Sequence, residues 1–102
     1  MAIARLTTLA AGAILLVAAC QPTLQQETGI VLSVDSPTLG QVDSFELLTA
    51  DGEIVTFDTS ELRFRREFPA PHLSEHQMLG DRIVVTYKAE GDRLLVTQLD
   101  DE

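Results

Sequence analysis

The residues of this chain best suited to chemistry are two histidines, His72 and His76, which stand four apart with Glu75 between them. On a helix, that spacing places both imidazoles on one face. Two imidazoles so placed can chelate zinc or copper, and the Glu75 carboxylate offers a third ligand, although it lies about 100° from His76 around the helix. Two other roles remain open. One histidine packs at the end of the fold while the other is solvated, or the pair forms a pH-responsive contact.

Three arginines, Arg63, Arg65 and Arg66, form a second candidate group in a chain that has only seven lysines and arginines. In an extended segment, Arg63 and Arg65 face one way and Arg66 faces the other. The favoured interpretation is a solvated face that pairs with Glu61, Glu67 or neighbouring aspartates. The alternative is a contact patch for an acidic partner or for an anionic ligand such as a glycan.

Composition and motif content exclude several function classes. The chain has 102 residues and a formal net charge of −9, so nucleic-acid binding, which depends on basic groups that neutralise phosphates, is not expected. A single cysteine cannot form an internal disulfide or a multi-cysteine metal site. The sequence contains neither a Gly-x-Ser-x-Gly elbow nor a glycine-rich phosphate loop. We therefore expect neither an enzyme nor a bound cofactor.

The N-terminal residues have the pattern of an export signal. One charged side chain, Arg5, precedes the eleven residues 9–19, none of which is charged or strongly polar. A membrane-spanning helix needs about 20 apolar residues, so this run matches the core of a signal peptide. It ends in Val17-Ala18-Ala19-Cys20, which resembles the lipobox of bacterial lipoproteins. The alternative is an ordinary secretory signal cut near Ala19, which leaves a free thiol.

The lipobox resemblance implies that residues 1–19 form a helical signal segment that is removed and that Cys20 receives lipid. Acyl chains such as palmitate then hold the protein on the membrane, with residues 20–27 as a lipidated tether. Loss of Arg5 leaves six basic and 16 acidic side chains, a net charge of −10 that anionic lipids repel. Gln21, instead of the aspartate of inner-membrane retention, favours an extracytoplasmic location on the periplasmic side of an outer membrane in a Gram-negative cell.

Five segments have the alternation of apolar and polar residues that predicts β-strands. They are residues 29–35, 42–49, 53–58, 82–88 and 93–99. The first places Ile30, Leu32 and Val34 on one face. The second begins out of phase, which predicts a bulge near Asp43 or Ser44.

Turn residues separate these strands. Asp51-Gly52 predicts a hairpin between the second and third strands. The fifth strand has an ambiguous phase because Leu94 and Val96 oppose Leu95 and Leu99. The acidic residues 100–102 that follow predict a frayed tail.

Residues 71–79 predict one short helix between the third and fourth strands. Pro71 suits the first turn of a helix and Gly80 suits a C-terminal cap. We expect Leu73, Met78 and Leu79 to pack against the strands.

The order of three strands, one helix and two strands predicts an all-β fold, a small five-stranded OB-like barrel over residues 28–102. Closure of the sheet removes exposed edges, and the helix covers one end of the core. The pattern resembles small uncharacterised OB-like domains of bacterial exported proteins, over the segments Gly29-Ile-Val-Leu-Ser-Val-Asp, Asp51-Gly52, Leu73-Ser-Glu-His, Val84-Val-Thr-Tyr and Leu95-Val-Thr-Gln-Leu.

Lipid anchor and barrel together predict a non-catalytic binding or accessory module of the bacterial cell envelope, with an envelope protein as its partner. The alternative is a small envelope ligand binder. It would hold a metal through His72 and His76, or an anionic ligand through Arg63, Arg65 and Arg66.

Overall fold

The computed structural model describes residues 23–102, so the predicted signal segment, residues 1–19, and Cys20 lie outside the described residues. Within 23–102 no helix has the length and apolar character needed to cross a bilayer. The described chain folds into five strands and one helix. In chain order these are β1 (Gln25–Asp35), β2 (Ser44–Thr49), β3 (Ile54–Asp58), α1 (Ala70–Leu79), β4 (Ile83–Glu90) and β5 (Arg93–Asp101).

The strands form a closed barrel in the order β1-β2-β3-β5-β4, and β1 also pairs with β4. All neighbours are antiparallel except β3 and β5, which are parallel and meet at the single pair Asp58–Leu95. This strand arrangement, with the helix between β3 and β4, confirms the predicted five-stranded OB-like barrel.

The first strand serves both halves of the barrel. Residues 25–29 of β1 pair with β4, whereas residues 29–35 pair with β2, so Gly29 has strand partners on both sides. The backbone of β2 lies so close that a Cβ at Gly29 would overlap the carbonyl oxygen of Leu48 and lie 2.9 Å from its carbonyl carbon. Only glycine allows β1 to approach β2 this closely.

Replacing Gly29 by alanine is expected to lower the free energy of unfolding by about 3 kcal/mol, because the new methyl group meets backbone atoms that cannot rotate away. Urea unfolding of the full chain, followed by circular dichroism, measures this change. Gly40→Ala is the matched control. A Cβ at Gly40 meets nothing within 4 Å, and neither glycine has a positive φ. Equal stability of the two variants would contradict the close approach.

Most strand faces follow the predicted alternation. Phe45, Leu47 and Thr49 of β2 are buried on one face, as are Phe57 of β3 and Ile83 and Val85 of β4. The rings of Phe45 and Phe57 lie 5.5 Å apart, and Tyr87 packs edge-on against Phe57 at 4.9 Å. These side chains make one continuous core inside the barrel.

The predicted bulge near Asp43 or Ser44 is wrong. The irregularity lies in β1, where the register against β2 shifts between Val31 and Ser33. As a result Val31 is buried and Leu32 is exposed, which reverses the predicted inner face at that point. The barrel curvature that bends β1 across two neighbours explains a bulge there.

A second bulge resolves the phase of β5. Thr86 pairs with Gln98 and Tyr87 pairs with Val96, which leaves Thr97 as an extra residue. Val96 and Leu99 therefore both belong to the core, although they are three residues apart. Leu95 is also buried, outside the main cluster.

Both ends of the barrel extend further than predicted. Residues 25–27, assigned to the tether, belong to β1 and pair with β4. The predicted frayed tail is ordered: Asp101 ends β5 and pairs with Ile83, and the Glu102 N–H donates to the Arg82 carbonyl oxygen at 3.3 Å. Strand pairing at both ends supplies the backbone partners that a frayed terminus lacks.

The helix α1 begins after Pro69 and ends at Gly80, whose left-handed backbone (φ 71°) lets its N–H donate to the His76 carbonyl oxygen at 2.9 Å. Its buried residues are Ala70, Leu73 and His76. Met78 and Leu79 do not pack against the strands, since 85% and 74% of their surface is exposed. Both lie well over 100° around the helix from Leu73, on the solvent side.

Candidate metal centre

The helix α1 carries the two histidines to the end of the barrel. Leu73, which is fully buried, fixes the helix against the core, and His72 and His76 flank it on the side toward β5. His76 is buried with 8% of its surface exposed, whereas His72 is half-buried. The four-residue spacing therefore brings both imidazoles to one place, as predicted.

The last residue of β5 meets the imidazoles. Asp101 pairs with Ile83, the first residue of β4, and β4 begins only three residues after Gly80 ends the helix. The Asp101 Oδ1 atom lies 2.7 Å from His76 Nε2 and 2.9 Å from His72 Nε2. The two Nε2 atoms lie 3.2 Å from each other. Within residues 23–102, this is the one group of three or more potential metal ligands that converges.

The other nitrogen of each ring is already occupied by an acceptor. His72 Nδ1 lies 3.0 Å from a Glu75 carboxylate oxygen, and His76 Nδ1 lies 3.0 Å from the Asp81 carbonyl oxygen. A carbonyl oxygen and an ionised carboxylate can only accept, so each Nδ1–H donates. In a neutral imidazole this leaves Nε2 unprotonated, but the Asp101 carboxylate can also only accept, so without a metal ion at least one Nε2 carries a proton directed at Asp101.

Two imidazole nitrogens and a carboxylate oxygen therefore converge on one point. Such an arrangement is repulsive unless a positive charge, a proton or a metal ion, lies among them. The electrostatic surroundings of His72 and Asp101 agree with this requirement. Burial opposes protonation of His72, but the Asp101 and Glu75 carboxylates outweigh it and raise the pKa of this imidazole. Hydrogen bonds from His72 and His76 in turn lower the pKa of Asp101.

We call His72, His76 and Asp101 the triad. The distances between its three converging atoms suit a first-row transition metal. A zinc ion binds imidazole nitrogen and carboxylate oxygen at about 2.0–2.2 Å, so tetrahedral ligand atoms are about 3.3 Å apart. The three separations here, 2.7, 2.9 and 3.2 Å, are slightly shorter. An opening of a few tenths of an ångström admits the ion, and the exposed Asp101 side chain is free to move by that amount.

An aromatic side chain closes the inner side of the triad. The Phe68 ring, which is buried, stacks nearly parallel to His76 at 5.7 Å and stands edge-on to His72 at 4.8 Å. The two imidazoles are perpendicular to each other at 4.7 Å. Contact with Phe68 restricts rotation of the two imidazole rings. A ligand must therefore approach them from the side opposite Phe68.

Of the three arginines, Arg65 has a structural role. Its Nη2 donates to the Leu99 carbonyl oxygen and to Asp100 Oδ1, each at 2.7 Å, so it ties the crossover between β3 and α1 to the end of β5. Its own carbonyl accepts from the Phe68 N–H at 3.1 Å in a tight turn. Arg65 thus holds two parts of the triad's surroundings, the Phe68 ring and the strand end that carries Asp101.

The structure does not gather the arginines into one cluster of free charges. Arg63 and Arg66 are exposed, and neither has a carboxylate within 4.0 Å among residues 23–102. Arg63 lies on an open groove beside Leu62 and Lys88. The predicted partner Glu61 lies 3.8 Å from Arg93 instead, which also binds Asp58 at 2.8 Å.

Asp101, which the sequence analysis assigned only to the tail, takes the place at the two imidazoles that was predicted for Glu75. The structure places Glu75 on the far nitrogen of His72, where it orients the ring, and places Asp101 with the two Nε2 atoms. Asp101 lies 25 residues from His76 along the chain, so no local motif marks it. The available signal is topological: an antiparallel β4–β5 hairpin returns the end of β5 to the start of β4, next to the end of the helix.

The triad opens into a surface cavity of about 510 Å³. Gly80, Asp81, Arg82 and Glu102 line the rest of its wall. Arg82 and Glu102 form an ion pair at 2.5 Å on the rim. A ligand can therefore reach the Nε2 atoms and Asp101 from solvent.

Comparison of the chain with family models, curated proteins and solved structures finds no match.

Proposed function

We propose that this chain is a non-catalytic, metal-binding module of the bacterial cell envelope. It binds one divalent transition-metal ion, zinc or copper, through His72 Nε2, His76 Nε2 and Asp101 Oδ1. The observation that carries this proposal is the convergence of both Nε2 atoms and the Asp101 carboxylate oxygen within 3.2 Å, while each Nδ1 atom faces another acceptor. Imidazole and carboxylate ligands together suit zinc, copper and their neighbours rather than calcium or magnesium.

Preorganisation supports the assignment. Metal-binding histidines donate their second ring N–H to a carboxylate or a backbone carbonyl, which fixes the tautomer and the ring orientation. Both types of partner are present here, Glu75 for His72 and the Asp81 carbonyl for His76. All four ring nitrogens of this pair are directed at acceptors or at each other.

Zinc titration of the full chain in detergent micelles tests the proposal. At pH 7.5 we expect one Zn²⁺ per chain with a Kd of about 1 μM or tighter by calorimetry. Zinc at 100 times Kd then stabilises the fold by about 2.7 kcal/mol. That raises the melting temperature by about 15 °C. At pH 5.5 the affinity falls because protons compete for the imidazoles.

The Cys20→Ser chain serves as the control for this titration, since a free thiol is the other strong zinc ligand in the sequence. Zinc binding that survives in this variant is assigned to the triad. If the full chain binds no zinc and no copper at about 10 μM, the metal proposal is wrong.

We also propose that Cys20 carries the lipid anchor and that the barrel lies on the extracytoplasmic side of the membrane. The support is the sequence alone: the charged head, the apolar run of residues 9–19 and the Val17-Ala18-Ala19-Cys20 pattern. That the module assists an envelope protein is also a prediction from the sequence alone. Copper and zinc reach exported proteins in an aqueous compartment, which is consistent with a surface site open to solvent.

A further inference from the structure

The triad takes its ligand atoms from two separate parts of the chain, a helix and a strand end. His72 and His76 belong to α1, which the buried Leu73 fixes against the core. Asp101 is the last residue of β5. Metal–ligand distances tolerate errors of only about 0.2 Å, so zinc affinity depends on how closely these two parts are held together. The contacts that hold the end of β5 beside α1 are therefore part of the metal centre.

The end of β5 has a strand partner on one side only. On that side β4 pairs with it up to Asp101. On the other side β3 ends at Asp58 and pairs with β5 only at Leu95. Residues 96–101 lie instead next to the crossover between β3 and α1, residues 59–69, which is not a strand. The backbone groups on this side of β5 therefore need partners from outside the strand ladder.

Arg65 supplies hydrogen bonds on the side that β3 leaves open. Its Nη2 donates to the Leu99 carbonyl oxygen and to Asp100 Oδ1, each at 2.7 Å. Among residues 23–102, these are the only hydrogen bonds between the crossover and residues 96–101. Leu99 is buried, so its carbonyl oxygen depends on a protein donor. The Arg65 side chain thus takes the place of a neighbouring strand at the end of β5.

The backbone of Arg65 reaches the other half of the triad. Its carbonyl oxygen accepts from the Phe68 N–H at 3.1 Å, and the Phe68 ring contacts both imidazoles. One residue therefore connects the strand that carries Asp101 with the ring against which the histidines pack. Its guanidinium donates to none of the three ligands, so its influence on the centre passes through Leu99 and Asp100.

We propose that Arg65 is a positioning residue of the metal centre, whose guanidinium holds the end of β5 where Asp101 meets the two imidazoles. This inference rests on the proposed metal-binding function. Electrostatic repulsion alone predicts the opposite effect, because a cation near a bound divalent ion lowers the affinity for that ion. Removal of the Arg65 charge would then tighten zinc binding, whereas loss of positioning weakens it. The direction of the change separates the two roles.

Zinc titration of the Arg65→Gln chain in detergent micelles, in competition with a chromophoric chelator, tests this inference. We expect the Kd for zinc to rise by about tenfold, as is typical when a group that supports metal ligands is removed. Arg65→Lys should stay within about threefold of the unmodified chain, because one ammonium can donate to both acceptors. The Arg65 side chain is 42% exposed, so both metal-free variants should remain folded, which thermal melting measures.

A double-mutant cycle shows whether Arg65 acts through Asp101. In the Asp101→Ala chain the ligand that Arg65 positions is absent, so the addition of Arg65→Gln should change the zinc Kd by less than about twofold. Arg63→Gln is the matched control. It removes the same charge two residues earlier, and among residues 23–102 no carboxylate lies within 4.0 Å of Arg63. We expect Arg63→Gln to leave the zinc Kd unchanged.

The possible outcomes distinguish this inference from the metal proposal. If Arg65→Gln binds zinc as tightly as the unmodified chain, or more tightly, the positioning role is wrong and the metal proposal stands. A tenfold loss that persists in the Asp101→Ala chain, an equal loss in Arg63→Gln, or an Arg65→Gln chain that does not fold would also overturn the role of Arg65. Absence of zinc binding in the unmodified chain would overturn both proposals.

Discussion

Replacing Asp101 by alanine is expected to weaken zinc binding by about 100-fold or more, because it removes one of three ligands and the only negative charge among them. The Asp101 side chain is 56% exposed, so its removal opens no cavity in the core. The free energy of unfolding without zinc should therefore change by less than about 1 kcal/mol. Competition with a chromophoric chelator measures the zinc affinity, and thermal melting of the metal-free protein measures the fold.

The neighbouring carboxylate supplies a matched control. Asp100 carries the same charge one residue earlier, but it binds Arg65 and does not contact either histidine. Asp100→Ala should stay within about fivefold of the unmodified chain in zinc affinity, since Asp100 contacts neither histidine and Arg65 keeps its hydrogen bond to the Leu99 carbonyl oxygen. An equal loss in both variants would mean that zinc is held by the general acidity of the surface, and it would contradict the assigned centre.

Replacing Cys20 by serine is expected to move the protein almost completely from the membrane fraction to the soluble fraction. Serine has no thiol to carry the diacylglyceryl group. The remaining chain has a net charge of −10 once residues 1–19 are removed, so anionic lipids repel it. Two or more acyl chains make a stable anchor, and a protein without acyl chains has no such attraction to lipid. Fractionation of cells that express a tagged chain, with mass spectrometry of the N-terminal peptide, measures the change.

Gln21→Asp is the companion variant for this experiment. It keeps the cysteine and therefore the lipid, but it introduces the residue that favours retention at the inner membrane. We expect it to stay membrane-bound and to move from outer to inner membrane in a Gram-negative host. If Cys20→Ser remains in the membrane fraction, or if the unmodified chain is soluble, the anchor proposal is wrong.

The sequence predicts the barrel because its local signals agree. Alternation marks the strands, Asp51-Gly52 marks a hairpin, and Gly80 marks the end of the helix where a left-handed residue is needed. The inner face of β1 could not be predicted, because the bulge at Leu32 follows from the bending of one strand across two neighbours. No residue type at that position indicates such a bend.

The candidate site also has one part that the sequence predicts and one part that it does not. Four-residue spacing is a local property, so the histidine pair is visible in the sequence. The third ligand depends on register. Counted from the Glu90–Arg93 pair without a bulge, Ile83 would face Asp100; the extra residue Thr97 brings Asp101 there instead. A single-residue shift in β5 thus decides which of two adjacent aspartates reaches the histidines, and which one is left for Arg65.

With Cys20 lipidated as we propose, the start of β1 at Gln25 sets how far the barrel can lie from the membrane. Five residues from Cys20 to Gln25 span at most about 18 Å when fully extended. A lipidated Cys20 therefore keeps Gln25, and Tyr87 paired with it, within that radius of the headgroups. Along β4, Ile83 lies four residues from Tyr87, about 13 Å, and it is Ile83 that stands beside Asp101. With Cys20 lipidated as we propose, the tether therefore meets β4 at Tyr87, and the candidate metal centre lies about 13 Å further along that strand, beside Ile83.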